Sequence, residues 1–146
     1  MSADQLRTAE DRPKQPEGKL FTVGEANRAL VLVRKVVQDI VRHYRQLMTL
    51  RDYHRELAGQ IGASVQLERV AQQIKRKTRV LGDLHAELND IGCVLKDWTG
   101  GLVDFPASYA GRRVWLCWRL GEDAITHWHE LDTGYSGRQP LTPDFE

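Results

Sequence analysis

Two apolar stripes, each advancing in alternating steps of three and four residues, commit much of this chain to long helices. The first runs Leu30, Val33, Val37, Ile40, Tyr44, Leu47, and its register continues through Arg51 and His54. The second runs Leu67, Val70, Ile74, Lys77, Leu81, Leu84, Leu88, Ile91. Heptad spacing in both predicts antiparallel helices packed as in a coiled coil, over residues 21–92. At the front, Thr22 is placed to cap the first helix and Glu25, three residues on, to return the bond, with Phe21 and Ala26 at the staple positions. Gly59 and Gly62 are expected to supply left-handed conformations for the reversal, Ser64 to cap the second helix, and Gly92 to stop it.

A two-helix ribbon covers each stripe from one side only. Val31, Val36, Val41 and Met48 flank the seam of the first helix, so a further surface must meet them. Either the rest of the chain folds back, or a second copy completes a four-helix bundle; the homodimer is the expectation favoured here.

The periodicity changes after Asp97. Leu102–Phe105, Arg113–Arg119 and Ile125–Leu131 alternate and are rich in β-branched and aromatic residues, which reads as three strands. If the turn at residues 121–124 pairs Leu120 with Ile125, then Val114, Leu116 and Trp118 share a face with His127, His129 and Leu131, and Arg113 lies opposite Asp132. The expected fold is therefore α+β, mainly α: an antiparallel helical hairpin over 21–92, then a small three-stranded antiparallel β module over 93–146 that packs on the hairpin. Residues 1–20, charged and carrying Pro13, Pro16 and Gly18 without an apolar period, read as a disordered arm.

Composition narrows the function classes. No apolar run approaches the roughly 20 residues of a membrane span, and no secretory leader is visible, so the expectation is a cytoplasmic protein without membrane partners. Two cysteines, Cys93 and Cys117, in no CxxC spacing, read as reduced, packed thiols. The net charge of +1 conceals a basic excess in the hairpin and an acidic excess after it, too mild for a nucleic-acid surface. Lys75, Arg76, Lys77 and Arg79 spread around a helix, and Lys77 falls on the seam, so solvated or interhelical roles outrank phosphate contacts. Phosphate loops, dinucleotide glycine fingerprints, HExxH and GxSxG are all absent.

The motifs of the C-terminal module, Gly92-Cys93, Leu95-Lys96-Asp97, Gly101 through Pro106, Leu116-Cys117-Trp118, Gly121-Glu122, Trp128-His129 and Gly137-Arg138, taken with Phe21-Thr22 and Glu25-Ala26-Asn27, resemble the bacterial family catalogued as domain of unknown function 2203. The resemblance covers about residues 20–141. It implies a helical region followed by a short motif-dense end, and it implies no activity, so functional candidates rest on the residues themselves.

Chief among these are His127 and His129, two apart on a strand, whose rings leave one face about 6.5 Å apart at Cα, within reach of one metal. Glu122, Glu130 and Asp104, or the hairpin histidines His43, His54 and His85, are candidate further ligands, suiting zinc, iron or manganese. The plainer reading makes both imidazoles hydrogen-bonded groups beneath the helices. Asp104, Glu122 and Glu130, near Arg119 and Arg138, are also the carboxylates available for acid–base work, although carboxylates in such turns are usually solvated. Trp128, Arg119, Arg138 and Tyr135 are the expected contact residues for a partner or small ligand. Cys117 reads as a small packed residue. The leading expectation is a dimerising binding or assembly module, with a metal-binding protein or metal-dependent enzyme as the alternative and nucleic-acid binding behind both.

Overall fold

The computed structural model describes residues 18–145, so the expected arm lies, but for residues 18–20, outside the described residues. Helix α1 spans Val23–Ala58 and α2 spans Ser64–Ile91. At 1.5 Å per residue the 36 residues of α1 make a rod of about 54 Å. The capping box forms as read: Glu25 N–H donates to Thr22 Oγ1 and Thr22 N–H to the Glu25 carboxylate, both at 3.1 Å. Lys77, at the seam, reaches across to His43 Nδ1 at 2.9 Å and to Gln46, the interhelical role its stripe position suggests.

Two details of the reversal differ from expectation. Ser64 is the first helical residue and Ala63 takes the cap position without a side-chain bond, because the chain enters α2 one residue earlier than the serine required. Gly59 stays right-handed at φ −85°, leaving Gly62 at φ +79° as the left-handed residue there. Gly92 ends α2 in the left-handed region as expected, at φ +109°.

Beyond α2 the chain forms five strands rather than three: β1 (Val94–Asp97), β2 (Leu102–Tyr109), β3 (Arg112–Arg119), β4 (His127–His129) and β5 (Gln139–Pro140), an antiparallel meander in chain order. β1 and β5 are too short to show an alternation in sequence. β2 runs through Pro106 to Tyr109, past the strand end expected at Phe105. Proline is admitted because β1 pairs only as far as Asp104, leaving a free edge where the Phe21 N–H donates to the Pro106 carbonyl at 2.7 Å. The β2–β3 connection is the two residues Ala110 and Gly111, both at positive φ, as a type I′ hairpin requires.

The β3–β4 register departs from expectation by one residue. Cys117, not Trp118, lies opposite His127, and Trp115 lies opposite His129. The cause is at Ile125: its N–H is taken by Asn27 Oδ1 of α1 at 2.8 Å, so the chain is tied to the hairpin before strand pairing starts at His127. A one-residue slip moves every side chain of a strand to the other face. Val103, Phe105, Ala107, Val114, Leu116, Trp118 and Trp128 consequently face the hairpin and join Leu30, Val33, Val37, Ile40 and Leu88 in one core. The sheet lies against Val41 at Gly101, Val36 is buried in the same core, and Val31 stays exposed. A smaller apolar cluster, Leu57, Ala63 and Val70, holds the far end of the hairpin together.

Candidate metal centre

Alternation along β2, β3 and β4 turns Asp104, Cys117 and His129 to the sheet face opposite the hairpin. Asp104 and Cys117 are directly paired and His129 is one strand further over. All three are almost wholly buried, with at most 2% exposure. One Asp104 oxygen, Cys117 Sγ and one His129 ring nitrogen lie within 4.8 Å of one another. Ligands of a tetrahedral metal at about 2.0–2.3 Å stand roughly 3.3–3.8 Å apart, so the spacing fits a single ion after small adjustments.

The bonds around His129 define its chemistry. Nδ1 lies 2.7 Å from the Glu130 carbonyl, which can only accept, so Nδ1 carries a proton and Nε2 is the nitrogen that faces the cluster. Nε2 sits 2.9 Å from Asp104 Oδ2. Burial lowers the affinity of His129 for a second proton, but the Asp104 bond, the Glu130 carbonyl and the Asp104 charge outweigh it, and the pKa is raised. The Cys117 thiol is pushed up to about 12, first by burial and then by the adjoining Asp104 carboxylate. Asp104 Oδ1 is buried and has no hydrogen-bond partner of good geometry among the described residues, the adjoining Cys117 thiol being at most a weak donor to this carboxylate. A fully desolvated carboxylate oxygen without a donor is costly, and it is the kind of group a cation relieves.

This arrangement is no nucleophilic dyad. Both nitrogens of His129 are engaged, neither by the thiol, and a thiol with so high a pKa is protonated at neutral pH.

The other sequence candidates are placed as follows. His127 shares the face and lies opposite Cys117, with Nδ1 2.8 Å from Thr126 Oγ1, but its ring is outside the cluster. Glu122 pairs with Arg138 at 3.0 Å and accepts from the Arg119 N–H at 2.7 Å; Glu130 is held by Arg112. Both carboxylates are therefore held by arginines and lie outside the cluster. His43 is committed to Lys77 and His85 packs on Trp98. Among the expected contact residues, Trp128 is buried in the core beside Tyr109 and Phe145, whereas Arg119 and Arg138 flank the half-exposed Tyr135 ring at 5.6 and 4.7 Å. These arginines, Arg119 foremost, lower the Tyr135 pKa by hydrogen bonding its phenol. From sequence Cys117 reads as a small packed residue, and the expected register puts it on the opposite face from the histidines, whereas the observed register puts it on theirs.

The hairpin bears a separate feature, an open groove of about 710 Å³ with Thr49, Leu50 and Val80 between Arg45, Arg76 and Lys77. Among the described residues no helix is long and apolar enough to cross a membrane.

Fold and cluster together define an α+β protein in which a long helical hairpin carries a five-stranded meander with a buried Asp–Cys–His cluster on its far face. The chain belongs to the family described as "Uncharacterized conserved protein (DUF2203)", whose model matches residues 19–141. Comparison with curated proteins and with solved structures finds no match.

Proposed function

We propose that the protein binds a divalent transition metal through Asp104 Oδ1 or Oδ2, Cys117 Sγ and His129 Nε2. The observation that carries this reading is the buried, unpartnered Asp104 Oδ1 beside a thiol and an imidazole whose Nε2 already shares a proton with the other oxygen of the same carboxylate. The Glu130 carbonyl supports it further, since a metal-binding histidine ordinarily donates its other N–H to such an oxygen. In the metal-free protein the proton between Nε2 and Oδ2 holds the place of the cation, and loading expels it together with the thiol proton. A thiolate, an imidazole and a carboxylate suit zinc, and the thiolate argues against manganese. A reduced thiol ligand is also best kept in the cytoplasm, the compartment we assign.

The test is zinc titration of metal-free protein against a competing chelator. One zinc per chain with an affinity tighter than about micromolar is expected, and Cys117→Ala and Asp104→Ala should each abolish it while circular dichroism shows the fold retained. Failure to bind zinc, or binding indifferent to both substitutions, would leave Asp104 and His129 as a buried ion pair and no more.

A second reading, assembly as a homodimer, draws on the far half of the hairpin, where Tyr53, Ile61 and Val65 are exposed. Its occupant would be a second copy, paired through these exposed apolar residues. Light scattering decides this, a dimer at micromolar concentration supporting it and a monomer excluding it.

A further inference from the structure

Three ligands leave a four-coordinate metal one position short, and the sheet offers a specific side chain for it. We infer that His127 swings in as the fourth ligand and closes the centre as Cys117, Asp104, His129 and His127; this rests on the metal-binding reading above. His127 lies opposite Cys117 in the β3–β4 ladder, so the two side chains leave the same face with Cβ atoms about 4.5–5.5 Å apart. It also stands two residues from His129 on that face, about 6.5 Å away at Cα. The movement inferred is a rotation about its side-chain bonds.

Its hydrogen bonding matches that of its neighbour. Each histidine has Nδ1 against an adjoining oxygen, Thr126 Oγ1 at 2.8 Å for His127 and the Glu130 carbonyl at 2.7 Å for His129. In the tautomer whose Nδ1–H donates to Thr126 Oγ1, one of the two directions a hydroxyl allows, His127 Nε2 carries the lone pair, and among the described residues that nitrogen has no hydrogen-bond partner. His127 is half-buried while the other three ligands are buried. It is therefore the ligand at the solvent boundary, through which the ion enters before the site closes. The rival occupant of the fourth position is a small anion beside Arg138, whose buried Nε is unpartnered and which lies close to Cys117.

Cobalt(II) substitution separates these. Wild-type protein titrated with Co²⁺ should show intense four-coordinate visible bands and a thiolate-to-metal band, and added azide should leave them unchanged. His127→Ala should weaken Co²⁺ and Zn²⁺ binding by at least about tenfold. In that variant azide should now shift the visible bands, and free imidazole should restore the wild-type spectrum. His127→Gln, which fills more of the side-chain space, should behave like the alanine variant and guards against a folding effect. An unchanged spectrum and affinity in both variants, or an azide shift in the wild type, would overturn the assignment of His127 while leaving the three-ligand centre standing. Absence of any thiolate-to-cobalt band in the wild type would overturn both.

Discussion

Replacing Gly101 by alanine examines how the sheet is docked on the hairpin. Gly101 closes the β1–β2 turn at φ +73°, and an added Cβ would come within 2.8 Å of Leu120 Cβ and 2.9 Å of Val37 Cγ1 on α1. Holding an L-residue in the left-handed region costs about 1–2 kcal/mol. Forcing a methyl group into a packed contact costs about 1–3 kcal/mol more. The loss should therefore be about 2–5 kcal/mol, from a total stability on the order of 5–15 kcal/mol. Gly111→Ala is the matched control, because Gly111 has φ +77° but no atom within 4 Å of its Cβ position. It bears the backbone cost alone. Urea unfolding followed by circular dichroism should give a lower midpoint for Gly101→Ala than for Gly111→Ala at unchanged slope, the gap corresponding to about 1–3 kcal/mol. Equal midpoints would show that the turn does not press on α1, and the docking described for the sheet would be wrong.

The neighbouring hairpin turn offers the opposite change: Ala110→Asn, at φ +50° before Gly111, should stabilise the protein by about 0.5–1 kcal/mol in the same assay, and a lower midpoint would contradict the type I′ geometry. Burial pushes both the Cys93 and the Cys117 thiols up to about 12, so an aromatic disulfide reagent should modify neither in native protein and both after denaturation; rapid native labelling of either would refute their burial. In metal-free protein the folded pKa of His129 lies above its ordinary 6.5, so its contribution to stability is complete below about pH 6.5 and is lost as pH rises through the raised value. Asp104→Asn should flatten that profile across this window, and an unaltered profile would remove Asp104 as the cause. Zinc affinity should move the other way, weakening on acidification as Cys117 and His129 regain protons.

The hairpin was legible because its signal is local and repeated. Leu30 to Leu47 and Leu67 to Ile91 state their own period, and the Thr22–Glu25 cap needs only a three-residue window. The metal cluster was only half legible. His129 and Asp104 stand among the sequence candidates, but Cys117 reads as a small packed residue, and the register that joins it to them depends on Asn27 holding Ile125 from 98 residues away. No periodicity within residues 113–131 reports that bond. Once the histidines are taken to leave the far face, alternation alone turns Trp128 inward, which is why an expected contact residue became core. β5 was unreadable for a different reason: two residues, one of them Pro140, carry no strand signature and pair only because the chain returns alongside β4.

The most direct test of the metal centre is X-ray absorption at the zinc edge of protein reconstituted with one equivalent of zinc. The account predicts one sulfur scatterer at about 2.3 Å and three nitrogen or oxygen scatterers at about 2.0–2.1 Å, with the sulfur shell lost in Cys117→Ala. A shell of six oxygen or nitrogen atoms with no sulfur would contradict it.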